Sequence, residues 1–507
     1  MLASMSEEQT AVEHVDVLII GGGISGIGAA CQLATECPGK SYAVLESRSA
    51  TGGTWDLFRY PGIRSDSDMF TLGYGFRPWL GDKILADGPS IRDYIRETAH
   101  DYGVDDHIRL GHKVLNADFS TAEQQWTVTI ERTDTGEQLQ MTCDFLHACT
   151  GYYRYDEGFT PEFPGRDRFK GQIVHPQQWP EDLDYSGKRV VVIGSGATAI
   201  TLVPAMAEKT ASITMLQRSP TYVLSVPESD GMVRTLRRVL PAKAVHPIIR
   251  WRNVGLSMGI YGISRRWPGA MKWFVRRGVA SQLPENYPVD VNFKPKYDPW
   301  DERLCVVPDG DLFRAIRHGK AEIVTDTIDT FTEKGILLDS GKELEADIII
   351  TATGLNVLLL GGATGSVDGV PINPPETVMY KGMMLSGVPN FAMVAGYTNA
   401  SWTLKADLVS GYVCRLLNYM DEHGFGIATP RAPGPSVGRE PMIDLASGYV
   451  QRALDQMPKQ GTEEPWKLRQ NYPYDLRLMR RGPVDDEMDF SPKLARADAA
   501  PRPTVAA

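Results

Sequence analysis

Two glycine-rich turns carry the first chemistry legible in the chain. Gly21, Gly23 and Gly26 spell G-x-G-x-x-G, and Gly194, Gly196 and Ala199 spell G-x-G-x-x-A. In such a turn the first glycine permits a tight reversal, the second lets backbone approach a pyrophosphate, and the third lets helix pack on strand. The N–H groups and dipole of the following helix then hold the phosphates. Ser25 in the first turn, and Ser195, Ala197, Thr198 and Ile200 in the second, belong to the same phosphate-facing stretches. The end of the next strand separates the two sites. Glu46 ends that strand about 20 residues after Gly26, where a carboxylate accepts hydrogen bonds from a ribose 2′-OH and rejects a 2′-phosphate. The first site therefore suits FAD or NAD. At the matching place in the second, Gln217 is succeeded by Arg218 and Ser219. A guanidinium beside a hydroxyl suits the extra phosphate of NADPH. FAD first and NADPH second implies a redox enzyme in which hydride passes from nicotinamide to flavin.

Each turn needs a strand before it and a helix after it. VDVLII, GGGISG, IGAACQLATEC and KSYAVLE read in order as strand, turn, Ala-rich helix and second strand over 16–46. KRVVVIG, SGATAITLVPAMAEK and ASITMLQR repeat that order over 188–218. FLHACTG at 145–151 and DIIITATG at 347–354 are apolar strands that both run into Thr-Gly, and each marks a chain crossing between domains. The expected fold is α/β with two Rossmann-like dinucleotide-binding domains. A first part of an FAD domain spans 1–150, and an NADPH domain with a helical insert at about 228–285 spans 151–350. The second part of the FAD domain spans 351–480, and a flexible tail 481–507. The Gly/Pro-rich segment 361–376 reads as a mobile loop.

At 507 residues the chain is too long for one core. Its 42% hydrophobic and 23% charged residues are ordinary for a globular protein. The net charge of −10 argues against a nucleic-acid partner. Six scattered cysteines without metal-ligand spacing fit buried thiols in a reducing compartment, and no metal site is expected. The acidic start MLASMSEEQTAVEHVD lacks the pattern of a secretory signal, so a cytoplasmic location is expected. One segment departs from this composition. Residues 231–280 hold nine arginines and two lysines with no acid, interleaved with Trp251, Trp267, Trp273 and Phe274. The segment carries +11, leaving the remainder of the chain at −21. It reads as a helical subdomain with a solvated or phosphate-lining basic face. The sharper alternative is an interfacial helix in peripheral contact with anionic lipid.

Two longer stretches reach beyond a generic flavoprotein. Residues 52–66 read GGTWDLFRYPGIRSD, and residues 169–181 read FKGQIVHPQQWPE. The second fits F-x-G-x-x-x-H-x-x-x-W-P and the first G-G-x-W-x-x-x-x-Y-P-G-x-x-x-D. In both the chain resembles the Baeyer–Villiger monooxygenases, a subgroup of class B flavin monooxygenases. GDLFRAIRHGK, ITATGLN, KGMMLSG and GYTNASWTLKADLVS extend the likeness to a thioamide-oxidising branch of that family, over nearly everything from Val15 to about Arg481.

The resemblance implies that NADPH reduces FAD, that O2 adds to give a C4a-peroxyflavin, and that this species converts ketones to esters or lactones and also oxidises sulfides and thioamides. Such chemistry needs a permanent positive charge near the flavin. By resemblance that charge is Arg303, with Asp66 as its carboxylate partner. Thr54 and Trp55 are implied to pack on the flavin, Asp56, Leu57, Arg64 and Ser65 to join the same site, and Val114 to meet the adenine through its backbone. His175, within the fingerprint, is grouped with the cofactor residues, with a conformational rather than chemical role. One departure stands out. Many family members place lysine just before the active-site arginine, where it helps hold the 2′-phosphate, and here Glu302 stands in its place. Two alternatives remain open: an N- or S-oxygenating flavin monooxygenase with little ketone activity, and a redox-sensing flavoprotein without turnover. Trp179-Pro180 and Arg303 favour the ketone reading.

Overall fold

A computed structural model of the chain describes residues 12–81, 83–302, 304–443 and 447–495. Its first sheet forms around strand β1 (Glu13–Ile20), whose run from Val15 to Ile19 is buried. An apolar run with no polar alternation is what a strand covered on both faces requires. Helix α1 (Ile24–Glu36) comes next, then the fully buried strand β2 (Tyr42–Glu46), parallel to β1 with Ile19 opposite Val44. On the other side of β1 lies strand β3 (Gln138–Ala148), also parallel, with Ile19 opposite His147. The long strand β3 serves two neighbours on its outer edge. Its first half pairs with Gln125–Arg132, and its last residues pair with Phe391–Met393 from the far end of the chain. The first sheet is thus assembled from both ends of the sequence. Helix Trp402–His423 closes over α1, and this is why α1, rich in Gly and Ala, is buried over most of its length.

The second sheet has five strands, all parallel. Strand β4 (Arg189–Ile193), helix α2 (Ala197–Met206) and strand β5 (Ser212–Gln217) repeat the order of the first unit. Strand β6 (Ile348–Thr351) lies beside β4, with Val191 opposite Ile349. Ala321–Thr325 and Gln172–Val174 complete the edges. The expected α/β class with two dinucleotide-type sheets is observed.

Three helices fill the expected insert: Gly231–Leu236, α3 (Ala242–Arg266) and α4 (Pro268–Ala280). Helix α4 buries Met271, Val275 and Val279, at i, i+4 and i+8, against the second core. The first half of α3 packs elsewhere: Val245 and Ile249 meet Phe70 of the first unit. The insert therefore bridges the two bodies.

Two expectations are corrected. The segment 361–376 is not a mobile loop, because Thr364–Val367 adds to the first sheet in parallel with Asn116–Phe119 and then turns back onto Val370–Pro371. Nor is the chain loose from residue 481 onward: Met488–Pro492 pairs antiparallel with Phe425–Pro430, and Phe490 stacks on Phe425. In both places non-local strand pairing satisfies backbone whose local composition reads as loop. Residues 496–507 of the expected tail lie outside the described residues. All six cysteines are buried, and none forms a disulfide.

The stretch 57–64 joins the two bodies. Phe58 and Tyr60 are buried in the core of the second unit, and Gly62 (φ +77°) lies against α2. A Cβ on Gly62 would stand 2.6 Å from Ala205 Cβ. Left-handed backbone and this contact both demand glycine, so Gly62→Val is expected to cost about 3 kcal/mol. A lowered urea midpoint measures that cost, and an unchanged midpoint would contradict the packing.

His147 supplies a pH-dependent contribution. Burial holds its imidazole down at about 4, and its Nε2 has no partner among the described residues. Below its ordinary value of about 6.5 the unfolded chain takes up a proton that the folded chain refuses, so this contribution is lost as pH falls from 6.5 toward 4. His147→Leu should therefore gain stability relative to the parent by about 3 kcal/mol between pH 7 and pH 4. Urea unfolding of both proteins at the two pH values gives the difference.

Candidate functional site

The same backbone device builds both glycine turns. Gly21 N–H donates to Leu45 O (2.7 Å), and Gly194 N–H donates to Leu216 O (2.8 Å). Each first glycine has positive φ and lies against the carbonyl of a strand leaving its sheet. A Cβ would stand 2.7 Å from Cys149 O at Gly21 and 2.3 Å from Ala352 O at Gly194. The two Thr-Gly strand ends expected to mark crossings are thus the walls of the two turns. Gly26 is as tightly held, since its Cβ would meet Gly21 O at 1.8 Å. Gly196 differs: nothing lies within 4 Å of its Cβ position.

Helices α1 and α2 begin at Gly23 and Gly196 with no side-chain cap and no acid in the first turn. Their leading N–H groups are left for a ligand, and both helix starts line one cavity of about 1590 Å3. A single ligand occupies about 300–1,000 Å3, so this space suits two dinucleotides. The open side of Gly196 and the two uncapped helix starts are what bound pyrophosphates require, and the residues present fit FAD and NADPH.

Glu46 is buried at the end of β2 on the cavity wall. Its Oε2 accepts from Gly22 N–H and its Oε1 from Arg48 N–H, both at 2.8 Å. Burial raises the Glu46 carboxyl above its ordinary range, opposed by these two N–H groups. The backbone donors fix the carboxylate's orientation and leave each oxygen further lone pairs for ribose hydroxyls. At the matching position of the second unit Gln217 turns away, donating to Asn292 O and Thr325 Oγ1. Arg218 and Ser219 are exposed on the cavity wall. Glu302 lines the same cavity. Burial raises its carboxyl above the ordinary range, with the charge of Arg218 opposing, so the acid expected to repel a 2′-phosphate stands within reach of Arg218.

Ser25, Thr54, Trp55, Arg64, Ser65, Asp66, Val114, Ser195, Ala197 and Thr198 also line the cavity. The structure brings these together with the glycines and Glu46. Gly26, Ala199 and Ile200 stand behind it as packing residues. Asp56 does not reach the cavity: it is buried and paired with Arg48, Arg59 and Arg96, and so ties the 52–66 stretch together from behind. Leu57 packs against the second core. Arg64 donates to Asp311 Oδ2 (2.7 Å), and its second terminal nitrogen is buried without a partner among the described residues. Asp66 is exposed on the wall. Arg303 lies outside the described residues, while Glu302 before it and Cys305 after it line the cavity.

His175 is not on the wall. Its Nδ1 accepts from Gln177 N–H and its Nε2 faces Gly354 O, each at 3.2 Å, so the neutral ring carries its proton on Nε2. Burial pushes the imidazole below its ordinary value, against the pull of the Gly354 and Phe159 backbone. A Cβ on Gly158 would stand 1.9 Å from the ring. His175 therefore pins the strands that cross between the bodies.

Residue spacing gave no sign of three further wall residues. Trp402 donates its indole N–H to Ser25 Oγ (2.8 Å) and lies tilted beside Tyr152, with ring centroids 5.2 Å apart. Tyr155 Oη lies 3.4 Å from Thr54 Oγ1. Tyr60, its hydroxyl facing Thr198, links the first unit to the second glycine turn; burial lifts its phenol to about 12.

Known proteins share this architecture. Residues 19–97 match the NAD(P)-binding Rossmann-like domain, and residues 85–244 match the flavin-binding monooxygenase-like family. The chain is 58% identical over 476 residues to the FAD-containing monooxygenase EthA of Mycobacterium tuberculosis, covering 94% of this chain and 97% of that one. It is 55% identical to the EthA of Mycolicibacterium smegmatis, covering 94% and 96%. Among solved structures, oxidized steroid monooxygenase bound to NADP superposes with a TM-score of 0.73 at 20% identity, covering 94% of this chain and 99% of that one.

Glu46→Gln replaces one acceptor oxygen by an amide that must face a backbone N–H. It is expected to weaken FAD binding by about 10- to 100-fold, as the loss of one buried charged acceptor does. The flavin-to-protein absorbance ratio after purification and an FAD titration read this directly, and full flavin retention would count against Glu46.

Proposed function

The chain belongs to the FAD-containing monooxygenases, and on that premise we propose that it is of the Baeyer–Villiger type, converting ketones to esters or lactones and also oxidising sulfides and thioamides. Its cofactors are FAD and NADPH. Bound flavin, reduced by NADPH, supplies the capacity to activate O2. The chain supplies everything else. Gly21, Gly23 and the start of α1 hold one pyrophosphate, and Gly194, Gly196 and the start of α2 hold the other, both opening on a single cavity. Glu46 orients one ribose, while Arg218 and Ser219 receive the 2′-phosphate of the other. Thr54 and Trp55 form the wall against which a planar ring system packs. Arg303 holds a fixed positive charge at the reacting carbonyl, and Asp66 orients it.

The observation that carries this reading is the single cavity. Both phosphate-binding helix starts and Asp66 share its wall with Glu302 and Cys305, which stand before and after Arg303 in the chain. A carbonyl oxygen gaining negative charge there would meet a guanidinium that stays protonated at any working pH. The partners of the reaction are a small-molecule ketone or sulfide and O2. A contact of segment 231–280 with anionic lipid would involve none of these residues.

The test is product analysis. Purified enzyme with NADPH, O2 and a panel of linear and cyclic ketones is expected to consume NADPH and release the ester or lactone. Arg303→Ala should lower ester yield by about 100- to 1,000-fold, the usual effect of removing one preorganised donor, while NADPH oxidation stays measurable. Asp66→Ala should lower it less, by about tenfold. Sulfoxide formation without any ester would favour the heteroatom-oxygenating reading, and NADPH oxidation yielding only hydrogen peroxide would reject both.

A further inference from the structure

The helical insert has an outer surface that the oxygenation chemistry does not use. Ten of the sixteen exposed large apolar side chains among the described residues fall within 231–280. Scattered exposed apolar residues need no explanation, but a cluster does. At the junction of α3 and α4, Trp267 is 60% exposed, Trp273 62% and Phe274 59%, with Leu256 and Ile263 close behind. On α4 the buried residues Met271, Val275 and Val279 define the inner face, so Trp273, Phe274 and Arg277 point away from the protein. The outer face of α3 is bare as well. Nothing lies within 4 Å of a Cβ added at Gly255, Gly259 or Gly262.

The charges of this surface fall into two sets, paired and unpaired. Arg250 pairs with Asp407, Arg252 with Asp230, Arg265 with Asp301, Lys272 with Asp298 and Arg276 with Asp290. Arg234, Arg238, Lys243, Arg266 and Arg277 are exposed and have no carboxylate within ion-pair distance among the described residues. Arg277 lies over the Trp273 ring at 5.6 Å, so one free cation accompanies an exposed indole. The remainder of the chain is strongly acidic. An anionic surface would repel it and attract only this face, and the molecule would approach in one orientation.

We propose that the outer face of α3 and α4 is a peripheral docking surface for an anionic lipid bilayer. Trp267, Trp273 and Phe274 enter the interfacial layer, and the unpaired cations lie over the headgroups. Indole and benzyl side chains flanked by Arg and Lys are the composition that the bilayer interface selects. Among the described residues no helix is long and apolar enough to cross a membrane, so the attachment is to one leaflet. Association driven by phosphate charge must weaken as salt shortens the screening length from about 10 Å at 0.1 M.

The experiment is co-sedimentation of the holoenzyme with vesicles of phosphatidylcholine alone or mixed 3:1 with phosphatidylglycerol. Most of the protein should pellet with the mixed vesicles in 0.1 M NaCl, and most should be released in 0.5 M. Binding to the mixed vesicles should fall about tenfold in W273S/F274S and in R266E/R277E. Both variants should keep the parent's NADPH oxidation, which shows that they are folded and separates this surface from the oxygenation chemistry. Absence of binding at low salt overturns the proposal, as does equal binding to uncharged vesicles. A wild-type dimer in gel filtration that W273S/F274S dissociates, without vesicle binding, would instead assign the face to a second copy of the chain.

Discussion

Gly21 and Gly194 each sit against the carbonyl of a strand leaving its sheet, closer than any side chain permits. Everything in the site depends on this contact made twice. It brings the end of β3 against the first turn and the end of β6 against the second, so that each helix start faces the place where the chain crosses to the other body. Had either glycine carried a Cβ, the crossing strand would be displaced and the helix N–H groups would point elsewhere. The two cradles share one cavity because both crossings lie along its wall. The geometry obeys the general rule that ligands bind at the carboxyl ends of parallel strands, where the topology switches.

A shared cavity requires two bodies in fixed relation. The 57–64 stretch provides this by surrendering its apolar residues to the neighbouring core: Phe58 and Tyr60 are buried there, and Gly62 abuts α2. From behind, Asp56 gathers three arginines, a concentration of charge whose effect is to hold the backbone at Thr54 and Trp55 facing the cavity. His175 does the equivalent work on the other side, one ring bonded to Gln177 and Gly354 and pressed on Gly158. A residue that looks like a general base is thus kept neutral and used as a spacer.

Much of this was legible in the chain because it is local. Strand, glycine turn, helix and second strand are contiguous, and the position of Glu46 or Arg218 is found by counting. The Thr-Gly crossings were legible for the same reason. The features that could not be read depend on partners far along the chain. Trp402 reaches Ser25 across 377 positions, and Tyr60 meets Thr198. The segment 364–371 has the glycine and proline content of a loop, yet it becomes an edge strand because Asn116–Phe119 offers it an unpaired backbone. Composition reports local preference, and edge pairing is decided by what lies alongside. Asp56 shows the opposite failure: a motif position expected to contact a cofactor is an internal ion-pair hub.

The insert has a second consequence for the site, through the residues just after Asp66. Asp68 caps the short helix Met69–Leu72 by accepting from Thr71 N–H, and its Oδ1 also accepts from Asn253 on α3 (2.7 Å). At the other end of that helix, buried Arg250 donates to Phe70 O and Gly73 O, at 2.9 and 2.8 Å. A guanidinium among the last carbonyls of a helix satisfies both their lone pairs and the helix dipole. Asp407 lies beside it and accepts from Gly75 N–H (2.7 Å); burial holds its carboxyl up at about 6 despite the adjacent guanidinium. Asp66 is therefore fixed on both sides, by Gly62 against α2 of the second unit before it and by α3 after it. The same helix that carries an outward apolar face holds this loop with its inner one. The helix and the cavity wall are thus joined through Arg250 and Asn253, because those two side chains tie α3 to the segment that follows Asp66.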